Sequence, residues 1–468
     1  MTNKQVLTIV LCTLLAGCST SQAVAENTAA PAETAETVQE TAETNTQTLE
    51  NHEDGEHVLS AEGTTESLSN AEVIKTGEAD GDEADFYGEN SALYASDGGT
   101  LELSDLHITT DGTHANAVFS YGEGTTVNIS NSVIETTGNC SGGIMTTGGG
   151  TMNAENLDIH TTGNSSAAIR SDRGGGTVTV TGGTYTTDGK GSPVIYSTAD
   201  ITVNDAELTS TSSQGVVVEG KNSVTLNNVT LTADNNSKNS DKSPYYHAVM
   251  IYQSMSGDAA EGTASFTMNG GTLTNKNGEI FFVNNTVAEI SLSEAEIINE
   301  GDEVFLRAEA AGWGNEGSNG GHVTLTAKDQ EISGNMIVDE ISSLNLYLTE
   351  GSSFSGAISS EGEVYVELDS DSTWTLTGDS QITSLTCDTD SIDLNGYTLY
   401  VNGEAYEAGT ASTGEAVVVE ITSSGNAGPE GGMPGGERPE GGKPGDGGTP
   451  PQRPADGGTP PERPEDKQ

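Results

Sequence analysis

One short pattern recurs through the middle of the chain and limits what the chain can fold into. It consists of an apolar residue, any residue, a second apolar residue, any residue and then a turn residue, as in "VTVTG" at Val178. Periods of about 20–50 residues are typical of solenoids, in which each repeat packs only on its neighbours. The copies begin at Leu101, Val127, Met152, Val178, Ile201, Val224, Phe266 and Ile290.

The fifth position of the pattern favours a sharp corner. It is occupied by Asp105, Asn131, Asn156, Gly182, Asp205, Asn228, Gly270 and Glu294. Asp, Asn and Gly tolerate left-handed backbone angles better than other residues do, and only Glu294 departs from that set. Each copy is therefore predicted to be two short strands that meet at a corner.

A second apolar run in each period supplies a third strand. Three short strands and three turns per period predict an all-β, single-stranded parallel β-helix, in which each coil lies about 4.8 Å above the last. Such a narrow core is filled by stacked Val, Ile and Leu, which explains why aromatic residues make up only 5% of the chain. A β-sandwich is the alternative, but it gives no reason for the corner to recur in register.

The closing segment "STWTLTGDSQITSLTCD" at Ser372 resembles the last coils of autotransporter-type bacterial surface passengers. With its "GT" coils, the chain also resembles the right-handed β-helix, pectin lyase-like superfamily and bacterial surface β-helix proteins. This resemblance implies a right-handed helix. It says little about function, because that fold carries lyases, hydrolases, adhesins and inert stalks.

The N-terminus reads as a secretion signal. Lys4 precedes the apolar run from Val6 to Leu15, which is too short to span a bilayer but long enough for a signal-peptide core. "LAGC" at Leu15 resembles a bacterial lipobox, which implies cleavage before Cys18, lipidation of Cys18 and attachment to the membrane of a bacterial cell envelope.

Composition divides the chain into four predicted parts. The signal peptide is 1–17, and residues 18–58 form a disordered acidic tether of Thr, Ala and Glu. The β-helix domain is 59–424, and a disordered Pro/Gly-rich tail follows at 425–468.

The charge balance excludes one class of partner and raises the question of a cation. With 16 Lys and Arg against 71 Asp and Glu, the chain should repel nucleic acid. The sequence predicts no cofactor and no metal site, with Ca²⁺ at "EADGDEAD" as the alternative, although that stretch lacks EF-hand spacing. Cys140 and Cys387 are predicted to be free thiols on distant coils.

Enzymatic motifs are weak in the repeats. The only compact Arg–acid group is Arg170, Asp172 and Arg173, which would be the centre of a polysaccharide lyase or hydrolase of the pectin lyase-like fold. A surface salt bridge is the simpler interpretation of this group. The sequence therefore predicts no catalytic residue and leaves enzymatic activity open.

A binding surface is the better-supported hypothesis. One residue of each second run is predicted to point outward in a partly aromatic row, unless a loop buries it; the row is Phe119, Met145, Arg170, Tyr196, Val218 and Met250. Two excursions interrupt the period, Ala233–His247 and Ala308–His322, and the second carries Trp313.

The favoured hypothesis is a lipid-anchored, non-enzymatic surface protein that binds a glycan or a protein of a host or neighbouring cell. A structural stalk without a ligand is the other non-enzymatic alternative.

Overall fold

The computed structural model describes residues 47–419 except Asn239 and Met255. The predicted signal peptide, Cys18, most of the predicted tether and the Pro/Gly-rich tail lie outside the described residues. Among the described residues, no helix has the length and hydropathy needed to cross a membrane.

The described chain is almost entirely strand. One short helix, α1 (Asp82–Tyr87), is present in the described residues. The strands in chain order are β1 (Gln47–Asn51), β2 (Leu59–Glu62), β3 (Thr65–Lys75), β4 (Leu93–Ser96), β5 (Thr100–Thr110), β6 (Val118–Tyr121), β7 (Thr126–Ser130), β8 (Val133–Thr136), β9 (Ile144–Thr147), β10 (Gly150–Thr161), β11 (Ile169–Ser171), β12 (Gly176–Thr187), β13 (Ile195–Ser197), β14 (Asp200–Asn204), β15 (Glu207–Ser210), β16 (Val216–Glu219), β17 (Ser223–Asn227), β18 (Thr230–Ala233), β19 (His247–Tyr252), β20 (Thr263–Asn269), β21 (Thr272–Asn275), β22 (Glu279–Asn284), β23 (Thr286–Ser293), β24 (Glu296–Asn299), β25 (Val304–Ala308), β26 (Gly321–Lys328), β27 (Glu331–Ser333), β28 (Asn335–Val338), β29 (Ser343–Thr349), β30 (Ser353–Ser355), β31 (Ile358–Ser360), β32 (Glu363–Leu368), β33 (Thr373–Thr375), β34 (Ser380–Ile382), β35 (Ser384–Thr386), β36 (Ile392–Asp393), β37 (Leu399–Val401) and β38 (Glu404–Ala405).

These strands form two long sheets and two short ones. The large sheet has 19 strands and contains both arms of each corner, so that β5 pairs with β7 before the corner and with β8 after it. The second sheet has 12 strands and runs from β2 to β31. A third sheet joins β27, β30, β33 and β36, and a fourth joins β34, β37 and β38. The fold is therefore an all-β parallel β-helix.

The predicted stacking is confirmed residue by residue. Val127 pairs with Met152, and Met152 pairs with Val178. The column continues from Val178 through Ile201 and Val224. All of these side chains are at most 1% exposed and belong to one continuous core. Each coil therefore buries its aliphatic side chains against the coils above and below it.

The predicted corners are also confirmed. All eight corner residues have positive φ, including Asp105 at 54°, Gly182 at 68° and Glu294 at 53°. Asn156 donates a hydrogen bond through Nδ2 to Oδ1 of Asn131, 3.0 Å away on the preceding coil, and Asn228 donates similarly to Asp205 at 2.7 Å. The turn amides thus link successive coils as well as permitting the bend.

The N-terminal boundary of the β-helix needs correction. Strand β1 lies inside the predicted tether and pairs in parallel with β3, with Leu49 opposite Val73. The segment "QTLEN" contains one large apolar residue, so its composition did not distinguish it from a linker. Pairing with β3 satisfies the backbone groups on one edge of β1 and explains why it is a strand.

Candidate functional site

The second sheet carries one file of side chains on the face that points away from the main core. The register places the predicted residues Phe119, Met145, Arg170 and Tyr196 in consecutive positions of this file. It then runs through Val217 and Met250 rather than through the predicted Val218, which lies in the main core. We call this file the covered row; it comprises Tyr94, Phe119, Met145, Arg170, Tyr196, Val217, Met250, Phe282 and Arg307.

The row is buried rather than exposed, which is the alternative that the sequence left open. Phe119 is 0%, Met145 1% and Met250 4% exposed. The row points outward as predicted, but segments between the strands fold over it. We call these the covering segments; they are α1 and the described residues of 234–246, 253–262 and 309–320.

Helix α1 covers the beginning of the row. Gly88, which ends the helix with φ of 78°, lies so close to Phe119 that an added Cβ would be 2.7 Å from the ring. Thr147 donates a hydrogen bond to the carbonyl oxygen of Phe86 at 2.7 Å. The helix is therefore packed directly on the outer face of the sheet.

Aromatic side chains cover the far end of the row. Val217, Met250, Tyr252 and Phe282 form an apolar cluster, separate from the main core, and Trp313 packs on it. The Trp313 ring lies edge to face with Tyr252, with 5.1 Å between centroids. Trp313 is thus a covering residue from the 309–320 segment, and it is not a member of the outward row.

The Arg–acid group considered for lyase chemistry fastens covering segments to the sheet. Arg170 Nη2 donates to Asp172 Oδ2 at 2.9 Å, and burial raises the pKa of Asp172 although Arg170 opposes this. Arg173 binds Asp258 at 2.9 Å and Asp82 at 3.3 Å, and its guanidinium lies 3.6 Å from the centroid of the Phe86 ring. Arg173 therefore joins α1 to the 253–262 segment.

A buried carboxylate, Glu219, lies beside the covered row, in the column that pairs with Tyr252. Tyr196 and Tyr252 both donate hydrogen bonds through their hydroxyls to Oε2 of Glu219, the second at 3.0 Å. Burial raises the pKa of Glu219, and the tyrosine hydrogen bonds partly counter it. Burial also raises the pKa of both tyrosines well above its usual value. Tyr196 is thus committed to a buried hydrogen-bond network.

A second ion-pair group closes the row. Arg307 donates to Glu279 at 2.6 Å and to Glu309 at 2.8 Å. Tyr245 donates to Glu309 at 3.0 Å, and its ring lies 3.8 Å from the guanidinium of Arg307. Burial raises the pKa of Glu279 to about 7 against the opposing effect of Arg307.

One cluster was missed by sequence reasoning. One ligating atom each of Asp85, His114 and Cys140 lies within 4.8 Å of the other two. Burial raises the pKa of the Cys140 thiol, and nearby Arg170 lowers it. Cys140 and Cys387 are free thiols, as predicted. Asp85 comes from a helix that the repeat pattern does not contain, but aligning successive coils would have brought His114 and Cys140 together.

The large sheet presents an open groove on its outer face. It has a volume of about 730 Å³ and crosses successive coils from Ser67 to Thr181. Glu102, Asn128, Asn153 and Thr179, which stand between the two apolar positions of successive copies of the repeat, line it. Asn128 Nδ2 donates to Glu102 at 2.8 Å, and Asn153 Nδ2 donates to Asn128 at 2.9 Å, so a ladder of polar side chains runs from coil to coil in the groove.

No family model matches this chain, and neither a curated protein nor a solved structure matches it. The fold itself therefore defines the class of the molecule. It is a parallel β-helix with one outer face covered and another carrying an open polar groove.

Proposed function

We propose that this protein binds a glycan in the groove of the large sheet and does not catalyse a reaction on it. The observation that carries the proposal is the groove itself, in which hydroxyl, amide and carboxylate groups are aligned across several coils. These groups can donate and accept hydrogen bonds with the hydroxyls of a sugar chain. A groove that continues from coil to coil suits an extended polymer.

The charge of the protein selects the class of glycan. The whole chain has a net charge of −55, and Glu102 and Glu155 lie in the groove. Such a surface repels uronate-rich or sulfated polymers and tolerates neutral or amine-bearing sugars. The proposed ligand is therefore a neutral glycan or one that carries free amino groups.

The enzymatic alternative receives less support from the geometry. Arg170 and Asp172 bind each other and are mostly buried, with side chains 13% and 8% exposed. Arg173 is occupied by Asp258 and Asp82. A lyase or hydrolase needs such groups to reach the substrate, whereas here they attach covering segments to the sheet.

The cellular setting extends the same proposal. Cleavage before Cys18 and acylation of its thiol and amine would hold the β-helix at the outer surface of a bacterial membrane, with the acidic segment after Cys18 as a spacer. The same proposal includes a relationship to the pectin lyase-like superfamily and a role as a surface adhesin. A Cys18→Ser variant should move the protein from the membrane fraction to the soluble fraction and lose incorporation of labelled fatty acid.

A glycan array with the purified full-length chain tests the binding proposal. Thr179→Trp places a large ring in the groove and should weaken saturable binding at least roughly tenfold. Thr225→Trp is the matched control, because Thr225 stands in the same column two coils further on and outside the groove. Its affinity should be unchanged.

Four results would contradict the proposal. Equal loss of binding in both variants would place the ligand elsewhere. Binding to proteins but to no glycan would identify a protein receptor. Binding to neither glycans nor proteins would leave a structural stalk without a ligand. Release of reducing ends or unsaturated products from any bound polymer would identify an enzyme.

A further inference from the structure

The cluster of Asp85, His114 and Cys140 lies where α1 meets two successive coils. Asp85 belongs to α1, and His114 and Cys140 occupy equivalent turns before β6 and β9. Both turn residues have φ of 55°, and the corresponding residues of the next two coils are Ser165 and Gly191. The fold thus places the imidazole of His114 and the thiol of Cys140 on adjacent coils, next to the carboxylate of Asp85 on α1.

The imidazole of His114 is buried with one ring nitrogen unpaired. His114 is 6% exposed, and its Nε2 lies 3.3 Å from Oδ1 of Asp85. Its Nδ1 is buried and has no hydrogen-bond partner among the described residues. Nε2 is therefore the nitrogen placed next to the carboxylate, and burial holds the imidazole at the cluster.

We propose that Asp85, His114 and Cys140 form a Zn²⁺ site in which the fourth position is open to a water molecule. Thiolate, imidazole and carboxylate are the three protein donors that Zn²⁺ prefers, whereas Ca²⁺ and Mg²⁺ take oxygen ligands. Bond lengths of about 2.0–2.3 Å in a tetrahedron put ligand atoms about 3.3–3.8 Å apart. The observed limit of 4.8 Å requires only side-chain adjustment to reach that geometry.

The charges around the cluster are compatible with such an ion. A thiolate and a carboxylate together neutralise Zn²⁺. Arg170 lies 4.0 Å from Asp85, but its charge is directed to Asp172 at 2.9 Å. Bound zinc would connect α1 to two coils of the sheet, and would thereby hold the covering helix on Phe119. The inference is independent of the glycan groove.

Two substitutions remove ligands while keeping residue types that these corners accept. Cys140→Ser introduces the residue found at Ser165 on the next coil. His114→Asn introduces a residue type that occupies other left-handed corners, such as Asn131 and Asn156. Cys387→Ser is the matched control for loss of a thiol, because Cys387 is a buried free cysteine on a distant coil of the β-helix.

The test uses the full-length chain, stripped with a chelator and titrated with Co²⁺ and with Zn²⁺. One equivalent of Co²⁺ should give tetrahedral d–d bands and a thiolate-to-cobalt absorption, and Zn²⁺ should displace it. The absorption should disappear in Cys140→Ser and remain in Cys387→Ser. Zn²⁺ should raise the melting temperature of the wild type but not that of His114→Asn.

Other outcomes would overturn the site. Absence of the thiolate absorption in the wild type, or its persistence in Cys140→Ser, would mean that Cys140 is not a ligand. Equal stabilisation by Zn²⁺ of the wild type and His114→Asn would place the ion elsewhere. Circular dichroism of the metal-free variants checks that each is folded, and Asp85→Asn offers a second ligand variant with the same expectations.

Discussion

The outer face of the large sheet and the outer face of the second sheet arise from the same alternation of residues, yet they differ in accessibility. On the large sheet, Asn153 is exposed and lies in the groove. On the second sheet, Met145 of the same coil is 1% exposed. The difference comes from the covering segments, which fold over the second sheet only. Strand periodicity determines which way a side chain points, and the segments between strands determine whether solvent reaches it.

The largest contrast between the faces is expected for ion pairs. Arg307→Met leaves the buried carboxyl group of Glu279 without its ion-pair partner and should lower the free energy of unfolding at pH 8 by about 3 kcal/mol. Lys276→Met removes the ion pair between Lys276 and Glu300, whose charged atoms are 2.8 Å apart. The two side chains are 39% and 52% exposed. That change should cost about 0–1 kcal/mol. Urea denaturation followed by circular dichroism measures both, and equal losses would mean that the Arg307 group is solvated.

The contact between α1 and the sheet is tested by two glycines of similar backbone conformation. Gly88 and Gly98 have φ of 78° and 74°, but only Gly88 has neighbours where a Cβ would go. Gly98→Ala should therefore cost about 1 kcal/mol, which is the penalty of a left-handed alanine. Gly88→Ala should cost about 1–3 kcal/mol more because it also overpacks Phe119. Thermal melting compares the two, and the same loss for both would show that α1 does not press on Phe119.

The covered face should also respond to pH. The pKa of Glu279 is raised to about 7, so the folded protein binds a proton that the unfolded chain releases above its ordinary value of 4.5. This contribution to stability is greatest at low pH and is lost as pH rises towards 7, at no more than about 1.4 kcal/mol per pH unit. Glu279→Gln should flatten this part of the curve of unfolding free energy against pH. A curve identical to that of the wild type would contradict the burial of Glu279.

The smallest effect is expected for the polar ladder of the open face. Asn128→Ala removes two hydrogen bonds, to Glu102 and from Asn153. Both are solvent-exposed and should be worth about 0.5 kcal/mol together. The midpoint of urea unfolding should hardly move. A loss above about 2 kcal/mol would show that the groove is rigidly packed and not an open surface.

The repeat made the core and corners of the fold predictable. Val127, Met152 and Val178 occupy the same position in successive copies of a local pattern. Aligning the copies in the sequence therefore also aligns the coils. Asn131 and Asn156 carry the turn preference in their own side chains. These features are local in sequence, so a single chain contains enough information to place them.

The candidate sites were less predictable because they depend on contacts between distant parts of the chain. Phe119 is buried by Gly88, which belongs to a segment outside the repeat. Arg173 meets Asp258 only because the 253–262 segment folds back over earlier coils. No local pattern specifies which face an excursion covers. Asp85 joins His114 and Cys140 for the same reason.

Thiol labelling measures the central contrast most directly. The Asn153→Cys and Met145→Cys variants place single thiols on the two faces of one coil, in a chain whose four native cysteines, Cys12, Cys18, Cys140 and Cys387, are all replaced by Ser. Under native conditions, the thiol of the Asn153→Cys variant should react at least about 100-fold faster with a maleimide, which corresponds to about 2.8 kcal/mol of protection at the other site. Equal rates for the two variants would show that the second sheet is not covered, and would contradict the account.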